Sequence, residues 1–251
     1  MRIGCRSILT AALLLAAAPA HATATTFFGE DLGAFTGTLP FTHTLSSTAE
    51  TNFRTTLGTW GTEDFHSFDY PDTGPLSLSF RNPPGASGAE VATGTLTDPT
   101  GDGFIATAAI AKTGFPISGS TYWKNETDED EGLFSVAFDS PQRAFGFYAT
   151  GYSTLSGSDG TELVLDLELE AGGTIAFVIP HSTDFTLGNV FYFGVINDLS
   201  FVRATLRNQG DEDGDVIGFD DFTVAAVPEP ASGALLAGGL LVLAALRRRR
   251  P

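Results

Sequence analysis

The chain has one cysteine in 251 residues, Cys5, so everything after it lacks a thiol. Disulfide stapling and thiol catalysis are thereby excluded for the body of the protein. Lysine and arginine are scarce as well, 13 against 30 aspartates and glutamates. Six of the 13 sit at the ends, as Arg2, Arg6 and Arg247 to Arg250. The remaining seven are Arg54, Arg81, Lys112, Lys124, Arg143, Arg203 and Arg207. Without the two ends, and so without Glu229, those seven face 29 carboxylates, a net charge of about −22. A surface of that sign repels nucleic acid and favours a soluble monomer. Catalytic signatures are missing too. There is no G-x-S-x-G, H-E-x-x-H or P-loop, and His43, His66 and His181 show no metal-ligand spacing. The body is read as a non-enzyme.

The ends carry the plainest patterns. Arg2 and Arg6 precede an apolar stretch at 8–18 and then Pro19-Ala20-His21-Ala22. A charged start, a short apolar core and an A-x-A site describe a secretory signal peptide, residues 1–22, cut after Ala22. At the other end, Val227-Pro228-Glu229-Pro230 leads into the 16 apolar residues 231–246 and then Arg247-Arg248-Arg249-Arg250. The run is short of the roughly 20 residues of an upright transmembrane helix, but snorkelling arginines extend it and place that end in the cytoplasm. The two prolines keep the triplet out of the helix and in reach of an enzyme.

In that order, the triplet Pro228, Glu229, Pro230, the apolar run and the cluster Arg247, Arg248, Arg249, Arg250 resemble the PEP-CTERM sorting domain. The resemblance implies recognition and cutting near the triplet by an exosortase, in Gram-negative bacteria that make exopolysaccharide. It also implies export across the inner membrane, transient anchoring by the C-terminal helix, and a final place at the cell surface or outside the cell. It supplies an address and no activity.

Residues 23–226 are enough for one domain with one sizeable core. Ten short aromatic or β-branched runs are expected as strands, at 76–80, 91–96, 104–111, 133–138, 144–152, 162–169, 174–179, 190–196, 201–206 and 219–224. In 162–169, Leu163, Leu165 and Leu167 alternate with Asp166 and Glu168, and Gly172-Gly173 follows, which reads as a hairpin with one buried face. One helix is expected after the capping box Ser47-Thr48-Ala49-Glu50, with Ala49, Phe53 and Leu57 on one stripe and Gly58 as its stop. The fold class is therefore mostly β: an antiparallel, jelly-roll-like β-sandwich with one short helix, a signal peptide before it and a transmembrane helix after it. On Phe28-Gly29-Glu30-Asp31-Leu32, Gly61-Thr62-Glu63-Asp64-Phe65 and Gly218-Phe219-Asp220-Asp221-Phe222, the body also resembles PEP-CTERM proteins with a β-sandwich body, similar to carbohydrate-binding jelly rolls.

Two site expectations follow. An acidic exported chain without disulfides suits calcium, a hard cation that wants several oxygens, although the acidity also serves solubility alone. The expected ligands are Glu30 and Asp31 near the start with Asp220 and Asp221 near the end, Asp220 being favoured because neighbours on a strand face opposite sides. Asp211-Glu212-Asp213-Gly214-Asp215 departs from a calcium loop, and Asp98-Pro99-Thr100-Gly101 reads as a turn. The second expectation is a sugar platform from Tyr122 and Trp123, beside the acidic run 128–131. Together these suggest a calcium-stabilised module that binds exopolysaccharide. The rival readings are a structural surface protein without a ligand and a glycan-degrading enzyme.

Overall fold

The computed structural model describes residues 23–85, 87–110, 113–127, 132–152, 162–182, 186–209 and 215–226. The expected signal peptide, the acidic runs 128–131 and 211–214 and the whole C-terminal segment from 227 lie outside the described residues. Eleven strands and one helix follow in order: β1 (Ala24–Asp31), α1 (Thr44–Thr56), β2 (Gly61–Glu63), β3 (Leu76–Asn82), β4 (Ala89–Thr97), β5 (Phe104–Ala106), β6 (Tyr122–Thr127), β7 (Gly132–Thr150), β8 (Glu162–Leu169), β9 (Thr174–Val178), β10 (Val190–Gln209) and β11 (Asp215–Ala226). All pairings are antiparallel.

Two pairs of expected strands turn out to be single long strands, β7 and β10, each serving both layers of a sandwich. The first part of β7, 134–138, pairs with β4 and with 203–206 of β10. Its second part, 144–150, pairs with 190–196 of β10 and with β11. Phe134 and Phe147 of this one strand stand edge to face with ring centroids 5.6 Å apart. In a straight strand, 13 residues would separate them by about 43 Å. The strand is therefore folded over, at Ser140-Pro141, where proline offers no ladder N–H. Matching register shifts interrupt β10 between Ile196 and Phe201.

The space between the layers is filled by phenylalanine. Phe134, Phe145, Phe147, Phe219 and Phe222 are buried there, with ring centroids 4.8–6.3 Å apart. The β8–β9 hairpin forms as the alternation dictates, with Leu163, Leu165 and Leu167 in this core and Gly172 and Gly173 at positive φ in its turn.

A second core lies on the outer face of the layer β1–β10–β7, under α1. Gly146 and Gly194 pair across β7 and β10 and leave a hollow there. Phe53 of the helix fills it: a Cβ on Gly194 would stand 2.8 Å from its ring. The helix begins earlier than the capping box suggests, because its cap comes from another element. Asp31, at the end of β1, accepts the N–H groups of Leu45 (3.0 Å) and Ser46 (2.8 Å) and the Ser46 hydroxyl (2.8 Å). A carboxylate at this terminus is favoured by the helix dipole as well as by the orphan donors. Glu50 turns instead to Arg54 (2.7 Å) and the Tyr148 hydroxyl (2.9 Å), and the helix ends on extended Leu57 rather than through Gly58.

Candidate functional site

The four carboxylates expected to share an ion are held apart. Strands β10 and β7 lie between β1 and β11, so Glu30 and Asp31 are three strand spacings, about 14 Å, from Asp220 and Asp221. Each is also engaged with protein donors. Asp31 caps the helix. Glu30 accepts the Tyr152 hydroxyl (2.6 Å) and the Ser182 N–H (2.9 Å), and burial together with Glu30 drives the Tyr152 phenol far above its ordinary range. Asp220 is fully buried and accepts three backbone N–H groups, from Ile117 (2.8 Å), Ser118 (3.1 Å) and Asp221 (2.8 Å). Burial, and then the charge of Asp221, push its pKa well up against those donors.

Asp221 does not face away from Asp220 as strand alternation would have it. A register shift interrupts the β11–β7 pairing between Asp220 and Thr223, and Asp221 has φ +50°, in the left-handed region that few non-glycine residues adopt. Both side chains are buried and both meet Ser118, whose hydroxyl donates to Asp221 at 2.6 Å. Among the described residues, no group of three or more histidine, cysteine, aspartate or glutamate side chains stands together to hold a metal ion. The four named residues thus do not fit a shared calcium ion.

The expected sugar platform is corrected outright. Trp123 is 0% exposed, because β6 is not a surface excursion: it is threaded between β5 and β11, and Trp123 points into the phenylalanine core opposite Phe219. Tyr122, on the other face of β6, is buried too, and its hydroxyl donates to the carbonyls of Ala108 (2.8 Å) and Gly114 (3.0 Å). Trp60 is partly buried against the second core with the Arg54 guanidinium 4.5 Å above its ring. The turn at Asp98 forms as expected, its carboxylate accepting the Thr100 N–H at 3.0 Å.

Two clefts open beside these elements. The first, of about 220 Å³, is walled by Tyr70, Phe104, Ala108, Ile110, Tyr122 and Lys124. Tyr70 is 62% exposed, its ring edge-on to Phe104 at 6.1 Å, and the Lys124 ammonium stands 5.2 Å from the Phe104 ring centre. The loop that carries Tyr70 is pinned to β5: Thr73 bridges Phe104, and the Ile105 N–H donates to the Asp72 carbonyl at 2.8 Å.

The second cleft, of about 240 Å³, is polar, and Glu63, Asp64, His66, Ser67, Ser79 and Arg81 line it. Glu63 and Asp64 share it because β2 ends at Glu63 and Phe65 takes φ +55°, which turns the chain. Phe65 is held in that strained conformation by its ring, buried 5.2 Å from Phe222, and by the Thr121 hydroxyl, which donates to its carbonyl at 2.9 Å. Glu63 accepts the N–H groups of Ser79 (2.8 Å) and Phe65 (2.9 Å). Burial outweighs both and, with the Asp64 charge, pushes its pKa up to about 7.

A carboxyl whose pKa rises on folding stabilises the fold most below its unfolded value and loses that contribution as pH rises through its folded value. For Glu63 the window runs from about 4.5 to about 7, and the loss is on the order of 3 kcal/mol. Glu63→Gln, which mimics the protonated acid, is therefore expected to gain stability relative to the parent across that window. Urea melts of both proteins from pH 4 to pH 8 measure the difference. In it the partly buried histidines His43 and His181, whose pKa values burial lowers and which act in the opposite sense, cancel. A pH-independent difference would contradict this assignment.

Residues 226–250 match the family model of the PEP-CTERM protein-sorting motif, as Pro228-Glu229-Pro230 and the terminal arginines led one to expect. The motif implies export with membrane-anchored sorting, and processing by an exosortase. Among the described residues no helix is long and apolar enough to cross a membrane; the apolar run 231–246 is outside them. No curated protein matches the chain. Among solved structures, the K2 cleaved adhesin domain of Lys-gingipain overlaps 67% of this chain and 99% of its own, at 12% identity and a TM-score of 0.41. The module TmCBM61, in complex with β-1,4-galactotriose, overlaps 53% of this chain and 87% of its own, at 12% identity and a TM-score of 0.27. A family 11 carbohydrate-binding module from Clostridium thermocellum overlaps 67% and 96%, at 7% identity and a TM-score of 0.26.

Proposed function

We propose that the chain is a non-enzymatic protein of the cell surface or extracellular matrix that binds glycan, as a monomer, through the cleft between Tyr70 and Phe104. The observation that carries this reading is an aromatic ring left 62% exposed at the mouth of a pinned depression. A pyranose ring has one flat face of C–H groups and a rim of hydroxyls. Tyr70 and Phe104 offer an apolar surface to the first, and the Tyr70 hydroxyl offers a polar partner to the second. The volume suits one or two sugar rings, being smaller than the roughly 300–1,000 Å³ of drug-sized sites. The sorting tail supports the reading, because an exported domain can meet polysaccharide outside the cell.

Hydrolysis is disfavoured by the geometry of the polar cleft. Both oxygens of Glu63 accept backbone N–H groups. The Nε2 edge of His66 lies against Gly119, where a Cβ would stand 1.6 Å from it. A glycosidase needs two carboxyl groups free to converge on one bond.

Sedimentation of the protein with insoluble polysaccharides, including that of the producing organism, tests the proposal. Tyr70→Ala is expected to weaken retention about tenfold, the value of one stacked ring, with the melting temperature unchanged. Equal retention of parent and variant would remove this cleft from the account. No retention of the parent by any polysaccharide would leave the structural reading.

A further inference from the structure

The polar cleft presents an open acceptor that the glycan-binding cleft does not explain. Asp64 is 8% exposed, and its Oδ1 accepts the His66 N–H at 3.2 Å with the His66 Nδ1 at 3.3 Å. Its Oδ2 accepts no hydrogen bond from the described residues and faces the cleft, 3.8 Å from where a Cβ on Gly85 would stand. That oxygen keeps contact with solvent in the cleft, so a donor entering the cleft meets a carboxylate oxygen with no partner among the described residues and displaces only water.

The remaining lining decides what kind of donor fits. Ser67 contributes a hydroxyl, and Glu63 a second carboxyl whose oxygens are already occupied. Among the described residues Arg81 is the one cation of the lining, and it is committed elsewhere: its Nη1 donates to the Gly88 carbonyl (2.9 Å) and its Nη2 approaches Glu90 (3.5 Å). Among the described residues the cleft therefore offers acceptors and no free cation, within a domain whose negative field concentrates positive ligands. A divalent cation asks for six or more oxygens, and no cluster of three ligating side chains exists here among the described residues. A primary ammonium asks for less: it carries three donors and no acceptor, and one carboxylate with one hydroxyl can hold it.

We infer that the cleft bounded by Asp64, Ser67 and Gly85 binds a primary ammonium group on a small hydroxylated ligand, such as an amino sugar with a free amine. The site is separate from the Tyr70 cleft and does not depend on it.

The test uses the full chain in mild detergent and glucosamine trimer as probe, with its N-acetylated counterpart as control, by isothermal titration. The free-amine trimer is expected to bind about tenfold more tightly than the acetylated one. That preference should fade as pH rises through the titration of the amine. Asp64→Asn should abolish it, and Tyr70→Ala should leave it unchanged. Should Asp64→Asn unfold, Ser67→Trp fills the cleft from its rim and is expected to give the same loss in a folded protein. Equal binding of the two trimers would overturn the inference. So would a rise in melting temperature with calcium chloride that Asp64→Asn removes, which would make the site a metal site.

Discussion

Asp220→Ala is expected to loosen the loop that packs on β11, at a cost of about 3 kcal/mol, because it orphans one buried and two partly buried N–H donors at about 1–3 kcal/mol for a fully buried one. Those donors, on Ile117, Ser118 and Asp221, belong to a loop and to a strand interruption, where no regular ladder supplies an acceptor. The same loop carries Thr121, which holds the carbonyl of strained Phe65. Loss of Asp220 should therefore propagate to the polar cleft. Guanidinium melts read the stability, and amide exchange of residues 115–121 reads the location. A variant as stable as the parent would show that the carboxylate is not the anchor of this loop.

Trp123→Ala is expected to be as damaging, at about 3–5 kcal/mol and a fall of roughly 10 °C in Tm. The side chain is completely buried among the core phenylalanines, and its indole N–H has no hydrogen-bond partner among the described residues, so truncation removes packing. Any loss of glycan binding in this variant would follow from the lost fold. Tyr70→Ala is the opposite case, removing an exposed ring at little cost to stability. The two melts side by side distinguish core from platform, and a Trp123→Ala protein that melts like the parent would place the indole on the surface after all.

Much of the architecture could be read from residue patterns, because burial on one face leaves a period of two. The β8 leucines and the Gly172-Gly173 turn show it most clearly. What could not be read was continuity. Ser140-Pro141 and Asn197-Asp198 look like turns between separate strands, yet they are corners at which β7 and β10 pass from one layer to the other. The helix start was misplaced for a related reason: its cap, Asp31, is distant in sequence, and a local capping box cannot compete with a carboxylate that meets two N–H groups.

The site was harder. Tyr122 and Trp123 looked accessible beside an acidic run, but a sequence does not show that β6 lies between two neighbours. Adjacent carboxylates were expected to diverge, and twice a left-handed residue, Phe65 or Asp221, broke the alternation on which that expectation rests. One signal for the aromatic cleft was there. Tyr70 stands in Ser67-Phe68-Asp69-Tyr70-Pro71-Asp72, a turn-rich stretch without strand or helix period, where a large ring has no regular face to bury.

The most direct test of the central claim is amide hydrogen exchange of the protein with and without a bound polysaccharide. The account predicts slowed exchange at residues 69–73 and 104–108, which carry and brace the Tyr70 cleft, and no change at 191–195 in the centre of the sheet. Protection confined to another part of the surface, with residues 69–73 unaffected, would contradict it.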